Sequence, residues 1–305
     1  MYACGKWFAN GQWITTENPY DGCAIAKVRE ANMDDYKVAL QNMKECEKAW
    51  KLTPMPKRGE IVRLIGQALR KYQKPLGALI SLEVGKIIGE GAGEVQEFID
   101  CCDMACGMSR KIGGQVFPSE RKDHFMIEQW NPLGIIGVIS AFNFPNAVYG
   151  WNLAIALICG DLVMWKGSPT TPLTSIATMK IIDGVFKANG VPSGVCTMLC
   201  SGVEIGKAMV SDHAMKLISF TGSTWVGRSI ATEVAKRFGK SILELGGNNC
   251  SIICEDANLD LAIRGCIFGA VGTSGQRCTT LRRLVIHETR YEEMKKRLLS
   301  AYSTV

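Results

Sequence analysis

The spacing of apolar and polar residues changes character along the chain. The first thirty residues contain short apolar runs and the turn dipeptides Asn10-Gly11 and Asp21-Gly22, which are typical of β-hairpins. From Asn32, a residue type that caps helices, apolar residues recur every three to four positions, as on the buried face of an amphipathic helix. This pattern predicts a helical layer that extends to about residue 110, with separate helical runs over residues 76–88 and 90–110.

A regular alternation of strand and helix begins at Leu133. Five short apolar runs, the last ending at Leu245, are separated by segments with helical spacing. This alternation is typical of a parallel β-sheet with helices on both faces, a fold that binds nucleotides at the carboxyl ends of its strands. We therefore predict an α/β protein with a doubly wound parallel sheet, Rossmann-like in character, and an N-terminal helical layer.

The same patterns divide the chain into four segments. Residues 1–114 form the hairpins and the helical layer, and residues 133–245 form the dinucleotide-binding sheet. Between them, residues 115–132 contain two extended runs, which indicate either an arm that pairs with another subunit or an ordinary surface hairpin. Residues 246–305 continue the alternation of strand and helix and are predicted to begin an α/β catalytic domain.

The composition excludes several classes of protein. The net charge of +6 comes from 35 basic and 29 acidic residues that are intermingled, so nucleic acid is not an expected partner. The longest apolar stretch, residues 151–165, is interrupted by Asn152, Gly160 and Asp161. It is too short and too polar for a membrane span, so no membrane partner is expected either.

The cysteines indicate a reducing compartment. There are 13 of them, scattered from Cys4 to Cys278 without a C-x-x-C pair, and the three histidines lie far from one another. This arrangement fits neither a disulfide framework nor a zinc site, so no metal is predicted. Since the N-terminus has no secretory signal pattern, we expect a cytoplasmic protein and leave a mitochondrial form open.

Candidate chemistry begins with one thiol and one carboxylate. Cys278 follows a run of small residues, Gly272–Gly275, that lets a ligand approach the backbone, and Glu244 ends an apolar run before two glycines. A thiol is a nucleophile, and a nearby carboxylate can activate water for the second half of a covalent reaction. Taken alone, such a cysteine is more often a small buried hydrophobe, and such a glutamate is more often a cap.

Polar residues also follow the predicted strands. Asn143 lies in a loop made rigid by Pro145, and Lys166 ends the second strand, where phosphate or ribose oxygens would lie. The fourth strand runs into a glycine-bracketed turn, residues 222–227, that opens a helix and is typical of anion-binding sites. The turn alone also fits a plain strand-to-helix connection. No strict G-x-G-x-x-G occurs, so the standard Rossmann fingerprint is absent.

Together these motifs resemble the aldehyde dehydrogenase superfamily. The motifs that carry the resemblance are Phe142-Asn143-Phe144-Pro145, Lys166, Phe220-Thr221-Gly222-Ser223-Thr224, Glu244-Leu245-Gly246-Gly247 and Gly275-Gln276-Arg277-Cys278. Their order and spacing match the family along nearly the whole chain. The residues around these motifs are most similar to the antiquitin subfamily, whose members oxidise α-aminoadipic semialdehyde in lysine breakdown. The residues that carry this closer resemblance are Arg277, Thr279-Thr280, Gly246-Gly247-Asn248-Asn249 and Trp165-Lys166-Gly167-Ser168-Pro169.

The resemblance implies a role for each catalytic residue. Cys278 would attack the aldehyde to give a thiohemiacetal, and the Asn143 side chain and the Cys278 backbone N–H would hold the oxyanion. Hydride would pass to NAD, and Glu244 would activate water to hydrolyse the thioester. The residues that would bind the dinucleotide are Ser140, Ala141, Phe142, Lys166, Gly206, Lys207, Gly222, Ser223 and Leu245.

The resemblance also implies a pocket for a small aldehyde substrate, lined by Glu97, Trp151, Arg277 and Thr279. Glu97 would contact the amino group of the substrate, although periodicity alone makes it a solvated helix residue. The Arg277 cation could equally lower the pKa of the thiol or pair with a surface acid. Many relatives have a glutamate for the adenosine ribose where this chain has Pro169, which leaves NADP open beside NAD.

Chains of this family are longer than 305 residues. The resemblance therefore implies a C-terminally incomplete dehydrogenase with a truncated catalytic domain, whose complete form would be an active homo-oligomer, a tetramer. The alternative is a non-catalytic product that retains only the nucleotide-binding scaffold. A cysteine hydrolase is disfavoured, because no histidine lies near Cys278 in the sequence and the nucleotide motifs would go unused.

Overall fold

The structure, a computed structural model, describes residues 1–305. It begins with two antiparallel hairpins, formed by the strands β1 (Tyr2–Ala3), β2 (Lys6–Trp7), β3 (Trp13–Glu17) and β4 (Ala24–Arg29). The connection between β3 and β4 contains Asp21-Gly22, with Gly22 at a φ of +70°. The hairpin predicted at this dipeptide is confirmed.

The hairpin turn predicted at Asn10-Gly11 is wrong. The first hairpin turns at Cys4-Gly5, where both residues have positive φ. Asn10 is held instead by Asp35, whose carboxylate accepts from the Asn10 backbone N–H at 2.8 Å and from its side-chain amide at 2.6 Å. This dipeptide therefore ties the N-terminal hairpins to the start of the first helix.

Three long helices, α1 (Met33–Leu52), α2 (Met55–Val84) and α3 (Ile88–Met108), form the predicted helical layer. The first begins with a capping box, in which the Asn32 side chain accepts from the backbone N–H of Asp35 and the Asp35 carboxylate accepts from that of Asn32. Reciprocal bonds of this kind satisfy two donors that a helix start otherwise leaves free.

The helix break predicted near residue 76 is wrong, because α2 continues through Pro75 to Val84. A proline inside a helix costs about 3 kcal/mol, but the apolar face of α2 is buried on both sides of it, at Leu69 and Ile80. The helix ends instead at Gly85, whose φ of 77° gives the left-handed cap that glycine adopts without strain.

The rest of the chain follows the predicted alternation. Its elements are β5 (Val116–Pro118), β6 (Phe125–Ile127), β7 (Ile135–Ile139), α4 (Ala147–Cys159), β8 (Leu162–Lys166), α5 (Pro172–Ala188), β9 (Cys196–Leu199), α6 (Val203–Ser211), β10 (Met215–Gly222), α7 (Thr224–Lys236), β11 (Lys240–Leu245), β12 (Asn249–Ile253), α8 (Leu259–Val271), β13 (Leu281–Ile286) and α9 (Tyr291–Tyr302). Strands β5 and β6 form a small antiparallel hairpin, the predicted arm, whose residues are all exposed.

The main sheet has seven strands in the order β11-β10-β7-β8-β9-β1-β2. The five from β11 to β9 are parallel, and β1 adds to the edge of β9 in antiparallel orientation, with Tyr2 opposite Met198. Chain order proceeds in one direction from β7 to β9 and in the other from β10 to β11. The switch point of the sheet therefore lies between β7 and β10, where such folds leave a crevice for ligands.

The last segment packs separately from the main sheet. Strands β12 and β13 form a two-stranded parallel sheet, which α8 and α9 cover with a core of four buried residues, against 52 in the main core. This contrast is consistent with a division near residue 245, although the four domain boundaries remain predictions. None of the helices has both the length and the apolar composition of a membrane span.

Candidate active site

A cavity of about 930 Å³ lies where the loops after β7, β10 and β11 meet the loop that precedes β13. It is at the switch-point edge of the main sheet, where parallel α/β folds bind ligands. Asn143, Glu244 and Cys278 all line this cavity. The fold thus brings together the three residues that were predicted to be catalytic and that are far apart in the sequence.

The loop that carries Cys278 has an unusual backbone. Thr273, Ser274 and Gly275 are consecutive left-handed residues, with φ of 54°, 54° and 72°. This conformation costs a non-glycine residue about 1 kcal/mol or more, and it persists only where surrounding contacts determine it. The position of Cys278 therefore depends on what holds the loop.

The turn between α2 and α3 holds the loop. The Thr273 backbone N–H donates to both carboxylate oxygens of Glu90, at 3.0 and 2.8 Å. The Ser274 hydroxyl donates to the Gly85 carbonyl at 2.7 Å. These bonds anchor the loop at its base and leave Cys278 exposed to the cavity.

Asn143 connects the first cavity loop to the cysteine loop. Its side-chain Nδ2 donates to the Gln276 carbonyl at 2.7 Å. A side-chain amide carries two N–H donors, so one remains for an oxyanion that develops close to Cys278. A donor fixed before the reaction stabilises such a charge without having to reorganise.

Glu244 is the penultimate residue of β11 and pairs in register with Thr221 of β10. Its side chain is exposed to the cavity and takes part in no salt bridge. A carboxylate without a cationic partner is able to accept a proton from water. The sheet sets the position of its backbone at the end of the strand.

Arg277 lines the cavity, but its charge is paired. Its Nη2 lies 2.8 Å from the Glu90 carboxylate, and its Nε donates to the Thr273 hydroxyl at 2.9 Å. The guanidinium also packs 5.2 Å from the centre of the Phe268 ring. Of the roles left open for this residue, the structure shows pairing with an acid, so Arg277 is not a free cation in the cavity.

Glu97, Trp151 and Thr279 complete the predicted substrate wall, and all three line the cavity. Glu97 is exposed, but it lines the cavity. Partial burial raises the pKa of Glu97, and the neighbouring Glu94 carboxylate adds to this, while Trp151 and the cations Lys86 and Arg277 act in the opposite direction. Glu97 makes no salt bridge, so it is a negative group that faces the cavity without a cationic partner.

A second cavity, of about 580 Å³, lies beside the first at the end of β10, and Lys166, Gly206 and Lys207 line it. Lys166 is only 7% exposed, and its Nζ has a single long hydrogen bond, 3.4 Å to the Gly167 carbonyl. Burial lowers the pKa of Lys166, against the effect of Cys200 and Glu30. A buried ammonium with so few acceptors is suited to a ligand that supplies more of them.

The other predicted cofactor residues lie in the first cavity; they are Ala141, Phe142, Gly222, Ser223 and Leu245. Gly222 packs against the Phe220 ring, since a Cβ on it would lie 2.5 Å from that ring. Ser223 caps α7 by accepting from the Val226 backbone N–H at 3.4 Å. The predicted dinucleotide site thus spans two cavities that adjoin at the end of β10.

The model of the aldehyde dehydrogenase family matches residues 7–305. The chain belongs to the aldehyde dehydrogenase family. It is 53% and 54% identical, over 301 residues, to the α-aminoadipic semialdehyde dehydrogenases of Bos taurus and Rattus norvegicus, with 99% of this chain and 56% of each relative covered. It also matches the structure of a betaine aldehyde dehydrogenase from Staphylococcus aureus in complex with NAD+, with a TM-score of 0.94, 26% identity, and coverage of 100% of this chain and 61% of that one.

These comparisons confirm the family and the fold that the motifs predicted. They also show that this aldehyde dehydrogenase chain spans less than two thirds of the length of these relatives. The roles of its individual residues remain predictions, which the geometry supports to different degrees.

Ser140 is the predicted cofactor residue with the least support. Its side chain is buried, lines neither cavity, and accepts a hydrogen bond from the Trp165 indole N–H at 2.9 Å. Its backbone N–H donates to the Lys166 carbonyl at 3.1 Å. In this dehydrogenase chain the Ser140 side chain is therefore occupied in holding β7 and β8 together.

Sequence reasoning missed several residues at the site. Trp225 lines the second cavity, and its place in the glycine-bracketed turn, as a large exposed aromatic residue, could have indicated this. Glu90, Lys86 and Glu94 contact the cavity loops from the helical layer. No pattern marks these three, because charged residues on helices are normally solvated.

Proposed function

We propose that this protein oxidises an aldehyde to a carboxylate and reduces NAD. The observation that carries the proposal is that Asn143, Glu244 and Cys278 line one cavity, adjoined by a second cavity with the buried cation Lys166. Supporting it, the named relatives are semialdehyde dehydrogenases, and the structural relative is in complex with NAD+.

The chemistry follows from the side chains. The Cys278 thiolate attacks the aldehyde carbon, and the free N–H of Asn143 stabilises the oxyanion of the thiohemiacetal. When bound, NAD supplies the nicotinamide ring that takes the hydride from this carbon, which becomes a thioester. Glu244 then takes a proton from water as its oxygen attacks the thioester, and the carboxylate and the Cys278 thiolate separate. One aldehyde, one NAD+ and one water give one carboxylic acid, one NADH and one proton.

The residues present fit a dinucleotide. Lys166 is a buried cation that lacks acceptors, and Gly206 lies beside it, since a Cβ there would be 3.5 Å from the Lys166 side chain. Lys207 is exposed on α6 and pairs with Glu204 at 3.2 Å. These residues would hold the adenosine half, whereas Ala141, Phe142, Gly222, Ser223 and Leu245 would lie along the half that reaches Cys278.

The test is aldehyde-dependent formation of NADH by the protein expressed from its complete gene. NADH and carboxylate should form in equal amounts, and iodoacetamide should block both. NADP assayed in parallel decides the cofactor, since Pro169 stands where many relatives carry a carboxylate for the ribose. An intact, folded protein that binds NAD and yet oxidises no aldehyde would support the non-catalytic alternative.

We further propose α-aminoadipic semialdehyde as the substrate. Since Arg277 is neutralised by Glu90, Glu97 is the unpaired charge of the predicted substrate wall. A carboxylate on this wall suits an ammonium group on the substrate, and it would stay unpaired against an uncharged aldehyde. The names of the mammalian relatives agree with this assignment.

Glu97→Gln is expected to erode the preference for this semialdehyde over an uncharged aldehyde of similar length. The ratio of the two kcat/KM values should fall roughly tenfold or more, because a hydrogen bond to a charged group contributes about 1.5–3 kcal/mol. Since the pKa of Glu97 is raised, the unmodified enzyme should lose its preference on acidification at a higher pH than an ordinary glutamate would give.

Asp100→Asn is the matched control for Glu97→Gln. Asp100 lies one turn further along α3, accepts from the Gln96 amide at 2.7 Å, and is exposed outside the cavity. The Asp100→Asn substitution removes one negative charge from the same helix, and the ratio of the two kcat/KM values should stay unchanged. Equal kcat/KM values for the two substrates in the unmodified enzyme would disprove the substrate assignment.

We also propose a homo-oligomer, a tetramer in the complete protein. The hairpin formed by β5 and β6 exposes five apolar residues, which are Val116, Phe117, Phe125, Met126 and Ile127. Exposed apolar residues concentrated in one projecting segment are typical of protein–protein contacts. The molecular mass of the complete protein in solution tests this proposal, and a monomer at micromolar concentration would contradict it.

A further inference from the structure

The helical layer contains one fully buried ion pair. Lys86 lies just beyond the glycine that ends α2, and Glu94 lies on α3. Their side chains are 0% exposed, and the Nζ–Oε2 distance is 2.6 Å. Removing two charges from water costs several kcal/mol, and well-packed apolar residues often replace such pairs without loss of stability. A gain in stability is therefore not a sufficient explanation for the presence of this buried pair.

Both members of the pair bind the backbone of the loop that contains Asn143. Lys86 Nζ donates to the Asn143 carbonyl at 2.7 Å and lies 4.1 Å from the centre of the Phe144 ring. The Glu94 carboxylate accepts from the backbone N–H groups of Asn146 and Ala147, at 2.6 and 3.1 Å. The pair thus forms hydrogen bonds with three backbone atoms of this segment.

The turn that supplies Lys86 also touches the cysteine loop. Gln276 Nε2 donates to the Val84 carbonyl at 3.2 Å, while the Gln276 carbonyl accepts from the Asn143 side chain at 2.7 Å. A closed circuit of hydrogen bonds therefore runs from the α2–α3 turn to Asn143, to Gln276 and back to the turn. This circuit links the loop that contains Asn143 to the loop that contains Cys278.

We propose that Lys86 and Glu94 are positioning residues, which fix the Asn143 amide relative to Cys278 for stabilisation of the oxyanion. This proposal rests on the proposed function of Asn143. Neither side chain lines the cavity, so neither contacts the aldehyde, and both act through Asn143. A rigid backbone clamp suits this role because a displacement of about 1 Å at a reacting centre can cost roughly 100-fold in rate.

Two variants test the clamp in the protein expressed from its complete gene. Lys86→Met removes the donor to the Asn143 carbonyl and leaves Glu94 unpaired. The double variant Lys86→Met/Glu94→Gln removes the same donor without a buried charge, and the new amide oxygen still accepts from Asn146 and Ala147. With saturating NAD and aldehyde, both should form NADH in the first turnover roughly 10- to 100-fold more slowly.

A second readout separates positioning from general damage. Alkylation of Cys278 by iodoacetamide requires the thiol but no oxyanion donor, so its rate should stay close to that of the unmodified enzyme. Glu83→Gln is the matched control, because Glu83 is buried three residues before Lys86 but binds Thr16, Leu173 and Thr174 instead of the cavity loops. It should lower Tm and leave the first-turnover rate unchanged.

The outcomes are distinct. A first-turnover rate of the double variant equal to that of the unmodified enzyme overturns the clamp, as does an equal fall in the rates of NADH formation and alkylation. Failure of both variants to fold, when Glu83→Gln folds, also overturns it, because the pair is then required for folding. If the unmodified enzyme oxidises no aldehyde, it is the proposed function that has failed.

Discussion

Cys278→Ala is expected to abolish aldehyde oxidation and to leave the affinity for NAD close to that of the unmodified protein. Of the 13 cysteines, Cys278 is the one that lines the cavity with Asn143 and Glu244. Without its sulfur no covalent intermediate forms, and removing the nucleophile of a covalent enzyme typically lowers kcat by about 10⁴-fold or more. The buried cation Lys166 lies in the second cavity, so the adenosine half of the cofactor should bind as before.

The experiment compares NADH formation with NAD binding in the same preparations. Cys250→Ala is the matched control, because Cys250 is an exposed thiol on β12 that lies outside both cavities. It should retain full activity. Substantial turnover by Cys278→Ala would show that the reaction does not pass through Cys278.

The parts of the fold with strong periodicity were predictable from the sequence. The alternation that begins at Leu133 predicted the five parallel strands, and the last of them ends at Leu245 as predicted. Strand β1 was not predictable, because two residues have no periodicity and its partner β9 lies almost two hundred positions away. The uninterrupted α2 was missed because Pro75 is a local signal, and the buried face that overrides it is a property of the packed layer.

The candidate site divides in the same way. Cys278, Glu244 and Asn143 lie at loops and strand ends, where sheet topology brings them to one cavity, so motif and topology were sufficient to predict that they meet. The pairing of Arg277 with Glu90 was not predictable, since the two are 187 positions apart and no pattern marks Glu90. The contacts of Lys86 and Glu94 were missed because charged residues are expected to be solvated.

This division has a consequence for the chemistry. The proposed reacting groups come from the sheet edge and from the loop before β13, whereas the groups that hold their loops come from the helical layer, through Glu90 and the α2–α3 turn. Substitutions in the helical layer are therefore expected to change the rate of a step, and substitutions at the sheet edge are expected to remove the step. Substitution of Glu244, at the sheet edge, is expected to have the clearest effect on a single step.

Glu244→Gln is expected to slow hydrolysis of the thioester far more than formation of NADH. The Glu244 carboxylate is exposed to the cavity without a cationic partner, so it can take a proton from water, and an amide cannot. Loss of a general base typically costs about 10²–10⁴-fold in the step that it serves. Hydride transfer precedes that step and does not require the base, so the variant should release a burst of NADH, followed by a slow steady state.

Rapid mixing with NAD and aldehyde measures both phases in one trace. The burst should approach one NADH per active site, and added hydroxylamine should speed the steady state by attacking the thioester in place of water. Glu255→Gln, which changes an exposed carboxylate after β12 outside both cavities, should show neither effect. If the burst disappears and Cys278 also reacts more slowly with iodoacetamide, Glu244 acts before hydride transfer, as the base that deprotonates the thiol. That result would assign activation of water to another group.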